Sequence, residues 1–371
     1  MKIPILTYQP MNIHGNDYGN NHLRALASDL EQLTRAGFRI LPLHEIVERW
    51  LGGREAELDG RIVALTCDDA ADFAWEDLPH PSAGTQRSVA TVLREFIAAR
   101  PGKQPDLNAT CFEIVSPEAR AALDATCMVG KGWWGDGWWP PAAASGLLHV
   151  GNHSWDHNHE SLPAGMSSAA WRGTFAVVDS KELADREIAR AAEYLAARAP
   201  NAGAALFAYP YGESNPYLAD EYFPRYGEAL GIKAAFTAQP AFLEPGTGRW
   251  EIPRFVCGRD WSSPDGLAIL LDAAMTRGHG ASAPSSTHGP PRPASALRSF
   301  ASFLVARVRP IPGWLHEEAA LLSAHLVRAQ RQMGIAGPTL EIGVYEGKYL
   351  SVLYELSQPD EPVVGVDLFV G

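Results

Sequence analysis

Cysteine is scarce, positive charge is in the minority, and no long apolar run occurs. Four cysteines in 371 residues, Cys67, Cys111, Cys127 and Cys257, show no C-x-x-C spacing, which excludes a disulfide scaffold and a cysteine-rich zinc module. Lys and Arg number 31 against 43 Asp and Glu, for a net charge of −12 without a basic cluster. Neither nucleic acid nor an anionic membrane surface is therefore the expected partner. No stretch reaches the roughly 18 consecutive apolar residues that suggest a membrane-spanning helix. The start, MKIPILTYQPM, has too short an apolar run for a signal peptide and reads as a strand. A cytoplasmic setting with reduced thiols is expected, with Cys67 and Cys111 as small buried hydrophobes in strands.

The remaining composition, 46% apolar and 20% charged, is that of an ordinary globular chain, long enough for one large domain and part of another. Strand and helix patterns alternate. Ile3 to Tyr8 reads as a strand, and a polar loop follows. Leu23, Leu26, Leu30 and Leu33 then mark a helix that ends before Gly37. Phe38 to Leu41, the run RIVALTCDDA at 61–70, and Ala109 to Val115 read as further strands, with helices at Leu43 to Leu51 and Val89 to Ala99. Glu182 to Arg198 is a helix with Leu183, Ile188, Ala192 and Leu195 inward. Such alternation implies a mostly parallel sheet, an open or closed (β/α) barrel with its active groups at the C-terminal strand ends.

Three segments at such ends carry chemistry. HVGNHSWDHNHESL at 149–162 follows a small apolar strand and places His153 and His157 four apart, so one turn of helix would put both imidazoles on one face. Paired imidazoles can begin a Zn²⁺ site that a carboxylate on a neighbouring strand completes. Asp68 and Asp69 offer that carboxylate, and residues adjacent on an extended chain point oppositely. One of the pair can then hold a metal while the other serves as a general base. FAYPYGESN at 207–215 again leads from an apolar run into turn residues. Taken singly, two histidines also occur on polar faces, and a DD pair also makes turns and N-caps.

In this order, TCDDA, HSWDH and AYPYG resemble the T-F-D-D-G, H-S/T-x-x-H and R-x-P-Y motifs of the NodB-type polysaccharide deacetylases (carbohydrate esterase family 4). The resemblance implies a distorted barrel and a metal-dependent hydrolase that removes an N-acetyl or similar acyl group from a sugar or glycan precursor. Carried over residue by residue, it makes Asp69, His153 and His157 the ligands of a divalent metal, Zn²⁺ first. Asp68 becomes the base for the attacking water, and the Tyr211 backbone N–H the donor to the oxyanion. Three positions depart from the family. Ala70 stands for Gly, and Ala208 for the motif arginine, leaving Arg254 or Arg259 to hold Asp68. ILLDAA stands where an L-x-H motif would place a general acid, and His279 is a poor substitute. A catalytically reduced glycan-binding or scaffold domain is therefore the alternative.

KGWWGDGWWPP at 131–141 is too broken by Gly and Asp for regular structure. Its indoles either pack on the barrel rim or form a sugar-stacking wall. Residues 278–296, rich in Pro, Ser and Gly, read as a linker between a deacetylase-like domain (1–277) and a second segment (297–371). There, Glu341, Gly343 and Gly347 lie in a strand–turn–helix pattern, with Asp367 after a second strand. This resembles the cofactor motif of class I S-adenosylmethionine-dependent methyltransferases, here an incomplete Rossmann-like βαβ segment. The cofactor is expected only if that domain is completed.

Overall fold

The structure, a computed structural model, describes residues 1–163, 166, 172–199, 206–275, 304, 308, 311, 315, 317–332, 337–342, 344, 347–357 and 361–366. It divides into two compact units, Met1–His279 and Gly280–Gly371. The linker at 278–296, with His279, lies outside the described residues.

The first unit opens with β1 (Ile5–Tyr8), α1 (His22–Arg35), β2 (Arg39–Ile40), α2 (Leu43–Leu51) and β3 (Ile62–Asp68). A short hairpin, β4 (Leu78–His80) and β5 (Gly84–Gln86), precedes α3 (Val89–Ala99), β6 (Ala109–Glu113), α4 (Pro117–Cys127), α5 (Trp139–Ser145) and β7 (Leu148–Asn152). α6 (Lys181–Ala184) runs through a π-turn (Asp185–Ala189) into α7 (Arg190–Arg198). β8 (Leu206–Ala208), α8 (Phe223–Tyr226), β9 (Ala234–Phe236), β10 (Phe255–Val256) and α9 (Pro264–Met275) complete it.

The main sheet runs β10-β1-β3-β6-β7-β8-β9, with β2 also on β3, and all of these pairs are parallel. Its two ends are joined by one stretch of chain. Ile252 bridges to Phe236 beside β9, and Phe255 then pairs with Leu6 of β1. The segment 252–256 thus closes the sheet into a barrel without forming a full strand, which is the physical content of its distortion.

Strand alternation sorts the side chains. Val63, Leu65 and Cys67 of β3 pack outward with Leu23, Leu26, Leu30 and Leu33 of α1. Ile62 and Ala64 belong to a second core with Phe112, Leu206, Ala234 and Phe236, as the period of two requires. Ile46, Val47 and Trp50 of α2 join that core beside the first residues of β3, β8 and β9. α1 starts where Asn21 accepts hydrogen bonds from the N–H groups of Leu23 and Arg24. It stops before Gly37, at φ 76°. All four cysteines are free thiols, and Cys67 and Cys111 are buried side by side on paired strands.

The second unit contains α10 (Glu317–Gln332), β11 (Thr339–Ile342), α11 (Lys348–Leu356) and β12 (Val363–Val366). β11 and β12 pair in parallel, and Val352 of α11 packs with Leu304, Val308, Ala320 and Ala324.

Candidate metal centre

Asp68 ends β3 and keeps its inward pleat. Its carboxylate is held by Arg254 from the closing segment, Nη1 to Oδ1 at 2.7 Å and Nη2 to Oδ2 at 2.8 Å. The guanidinium is fully buried and also donates to the Thr237 carbonyl and the Thr66 hydroxyl. Of the two arginines the sequence offered, Arg254 does the holding. Arg259 pairs with its neighbour Asp260 instead.

Asp69 is not turned away from Asp68 by strand alternation. It stands just past the strand with φ 51°, and its N–H donates to the Phe112 carbonyl at 3.1 Å. Ala70, where the family motif has Gly, has an ordinary φ of −70°. The left-handed positions are Asp69 and Ala71 (φ 52°), each costing about 1–2 kcal/mol in a non-glycine residue. Strain of this kind persists only where the surroundings hold it. Here the clamp comes from the tryptophan-rich loop. Asp72 N–H donates to the Trp133 carbonyl, and Asp72 Oδ1 accepts from the Gly135 N–H at 2.9 Å. Trp134, Trp138 and Trp139 are buried, and the half-buried Trp133 sets its ring edge to face with Phe73 at 5.9 Å, so this loop packs against the acidic turn.

The two histidines are not on a helix, contrary to the spacing argument. Residues 153–158 form a turn, with φ 71° at Ser154, 65° at His157 and 46° at Asn158. Short polar side chains compete with helical bonding here. Asn152 Oδ1 accepts from Ser154 N–H, Ser154 Oγ from His157 N–H, and Asp156 Oδ1 from Asn158 N–H. The turn still brings the imidazoles together, with centroids 5.0 Å apart. His153 Nδ1 lies 2.8 Å from the Ala208 carbonyl. A carbonyl only accepts, so Nδ1 carries the proton and Nε2 keeps a lone pair.

Ligand atoms of Asp69, His153 and His157 lie within 4.8 Å of one another. Asp69 Oδ1 and His157 Nδ1 are buried without a hydrogen-bond partner among the described residues. Burial, with the nearby Asp68 charge, pushes the Asp69 carboxyl up to about 6 against the pull of His153 and Arg254. Burial also drives His157 well below the usual imidazole range, with His153 adding to it. A neutral imidazole and a carboxylate short of positive partners suit a divalent cation. The donor set fits the group.

Tyr211 has φ 58°, and its ring lies 4.4 Å from that of His157. Its N–H has no acceptor among the described residues, so it is available to a ligand. Beneath the site are acids that sequence reasoning did not single out. Glu113 ends β6 fully buried, its carboxyl raised well above the usual range by burial and then by Asp69. A carboxylate ending an apolar strand, the same signal as Asp68, could have found it. Glu187, on the π-turn, accepts from Trp155 N–H through its carbonyl and from Asp156 N–H through its carboxyl. Burial and Asp156 raise that carboxyl to about 8.

The second constellation is described only in part. Glu341 lies on β11 and Gly347 precedes α11 at φ 79°, while Gly343 and Asp367 lie outside the described residues.

No protein-family model matches the chain, and no curated protein matches it in sequence. Its structure is similar to that of IcaB from Ammonifex degensii, with a TM-score of 0.50 and 20% identity over 74% of this chain and 97% of that one. Weaker likenesses are the Streptococcus pyogenes deacetylase PplD in complex with acetate (0.49, 15%, 73% and 98%) and the BpsB deacetylase domain from Bordetella bronchiseptica (0.48, 16%, 69% and 95%). None of the three bears on the methyltransferase resemblance. The first unit is a distorted (β/α) barrel of the polysaccharide deacetylase type.

Proposed function

We propose that the barrel is a metal-dependent carbohydrate deacetylase, removing an N-acetyl or similar acyl group from a sugar or glycan precursor. The observation that carries this is the convergence of Asp69, His153 and His157 beside a second carboxylate, Asp68, locked by Arg254. Asp69 Oδ1, His153 Nε2 and one nitrogen of His157 would hold the ion. When bound, a divalent ion such as Zn²⁺ polarises an acyl carbonyl and lowers the pKa of water.

The chain's own residues do the rest. Asp68, fixed by two hydrogen bonds from Arg254, receives the proton of the attacking water. The Tyr211 N–H faces the oxygen on which charge develops and stabilises it without reorganising. Burial of the triad keeps bulk water from screening these charges. The products are acetate and a free amine or hydroxyl on the sugar. A purified chain should release acetate from a panel of N-acetylhexosamine oligomers, and chelation should abolish the release. Metal uptake without any acyl release would refute the hydrolase reading.

One observation favours a binding domain without turnover. α9, which holds the ILLDAA segment, has no histidine to serve as a general acid, and its Leu267, Leu270 and Leu271 are buried in the outer core. Glycan binding with no hydrolysis on the same panel would select that alternative.

A further inference from the structure

The segment HSWDHNH contains a third histidine, His159, to which no role has been given. Consecutive left-handed residues at His157 and Asn158 fold the chain back on itself. That turn brings the His159 ring to 5.6 Å from His157 and 6.5 Å from Tyr211. The reversal is secured on both sides. Asp156 Oδ1 accepts from the Asn158 N–H, the Asn158 side chain donates to the Thr174 carbonyl at 2.7 Å, and the Asn158 carbonyl accepts from Gly173 N–H at 2.8 Å. His and Asn tolerate the left-handed region better than most residues, and these hydrogen bonds hold the turn, and with it the His159 ring, in place.

The ring's orientation is set as well. The Ser161 N–H donates to His159 Nδ1 at 3.1 Å. With that nitrogen accepting, the ring proton of a neutral imidazole sits on Nε2. His159 is half-buried, so Nε2 has no need of a protein partner and can face a ligand.

We propose that His159 is a substrate-binding residue whose Nε2–H donates a hydrogen bond to an oxygen of the acylated sugar, beside the acyl group held between the metal triad and the Tyr211 N–H. This rests on the deacetylase reading and deepens it. Three histidines then divide the work along one turn. His153 and His157 face the ion, and His159 faces the sugar. Tyr211 is exposed and His159 half-buried beside it, so a hydroxyl-rich ligand can meet an aromatic face and the His159 donor together.

The test uses the full chain loaded with Zn²⁺, as wild type, His159→Phe and His159→Gln. The phenylalanine keeps the ring and removes the donor, whereas the glutamine amide restores a donor near Nε2. Metal content, calorimetric binding of acetate, calorimetric binding of an N-acetylglucosamine tetramer, and acetate release are measured for each. The expected result is equal metal content and equal acetate binding in all three. Tetramer affinity should fall roughly 3- to 10-fold in the phenylalanine variant, the worth of one neutral hydrogen bond, and the glutamine variant should recover it. Unchanged tetramer affinity in His159→Phe overturns the assignment, as does loss of metal in that variant, which would make the residue structural. Tetramer binding that follows the expected order without acetate release from the wild type supports His159 and refutes the hydrolase reading. Acetate release with equal affinities does the reverse.

Discussion

Arg254 lays two guanidinium nitrogens against the two oxygens of Asp68, 186 residues away in the chain, and both groups are buried. A buried ion pair contributes little net stability compared with an apolar pair of the same shape, but losing one partner costs about 3–5 kcal/mol because the other charge is stranded. The pair is better understood as a device that fixes one base in one orientation. Arg254→Met should therefore lower the melting temperature and acyl hydrolysis together while the triad still takes up metal. Retained hydrolysis in Arg254→Met would show that the orientation of Asp68 does not matter.

Asp68→Asn tests the base directly. The amide is isosteric but accepts from only one of the two Arg254 nitrogens and leaves that charge unpaired, so the melting temperature should fall while the triad still binds metal. Hydrolysis should drop by about 10²–10⁴-fold, the usual worth of a general base. Equal loss of metal would reverse the roles assigned to Asp68 and Asp69.

Much of this centre is legible in the sequence because each half follows a strand. The runs ending in Asp68, His153 and Tyr211 are apolar and then abruptly polar, and parallel topology gathers such ends at one face. The histidine spacing, by contrast, gives the right pair for the wrong local reason. Ser154, Asp156 and Asn158 draw the backbone into a turn that no periodicity reveals. Arg254 is narrowed to two candidates and no further, because its partner is found only when the barrel closes. Glu113 carries the same strand-end signal as Asp68, and its complete burial in the fold is what the sequence leaves unseen.

The triad has a pH dependence of definite sign. Burial first, and then the Asp68 charge, place the Asp69 carboxyl at about 6, and a ligand must be deprotonated to bind. Metal affinity should be flat above that value and fall about tenfold per pH unit below it as protons compete. His153→Ala should abolish uptake and the rise in melting temperature that metal gives the wild type. Affinity unchanged between pH 7 and pH 5 would exclude Asp69 as a ligand.

Glu187 titrates in the opposite sense for stability. Its folded value of about 8 lies above its ordinary 4.5, so the folded chain holds this proton more tightly than the unfolded one. The associated stability is complete below 4.5 and is lost as pH rises to about 8. Asp156 faces the same turn with its own carboxyl raised by burial, while the Arg186 charge draws both carboxyls down and Arg190 draws down Asp156. In metal-free protein, Glu187→Gln should flatten the fall in melting temperature between pH 5 and pH 8. An identical slope in the variant would place the titration elsewhere.

The second unit yields the last prediction. Its described sheet is one parallel pair, with Leu340 exposed by 58%, Val364 by 46% and Val366 by 48%. A parallel sheet normally has both faces covered, and a cofactor at its strand ends needs the neighbouring strands to build the crevice. Glu341 and Gly347 mark one side of such a crevice. The chain should thus show no measurable S-adenosylmethionine binding by calorimetry, and micromolar binding would show that the segment is complete enough to work. Among the described residues, the four cores of the barrel draw on residues up to Met275, so removal of the chain from about Pro284 onward should leave them intact. A thermal melt of the shortened chain should keep a cooperative transition, and metal titration should still find one site. Collapse of the truncated barrel would mean that the second unit contributes to its stability and that the division near residue 280 is not a folding boundary.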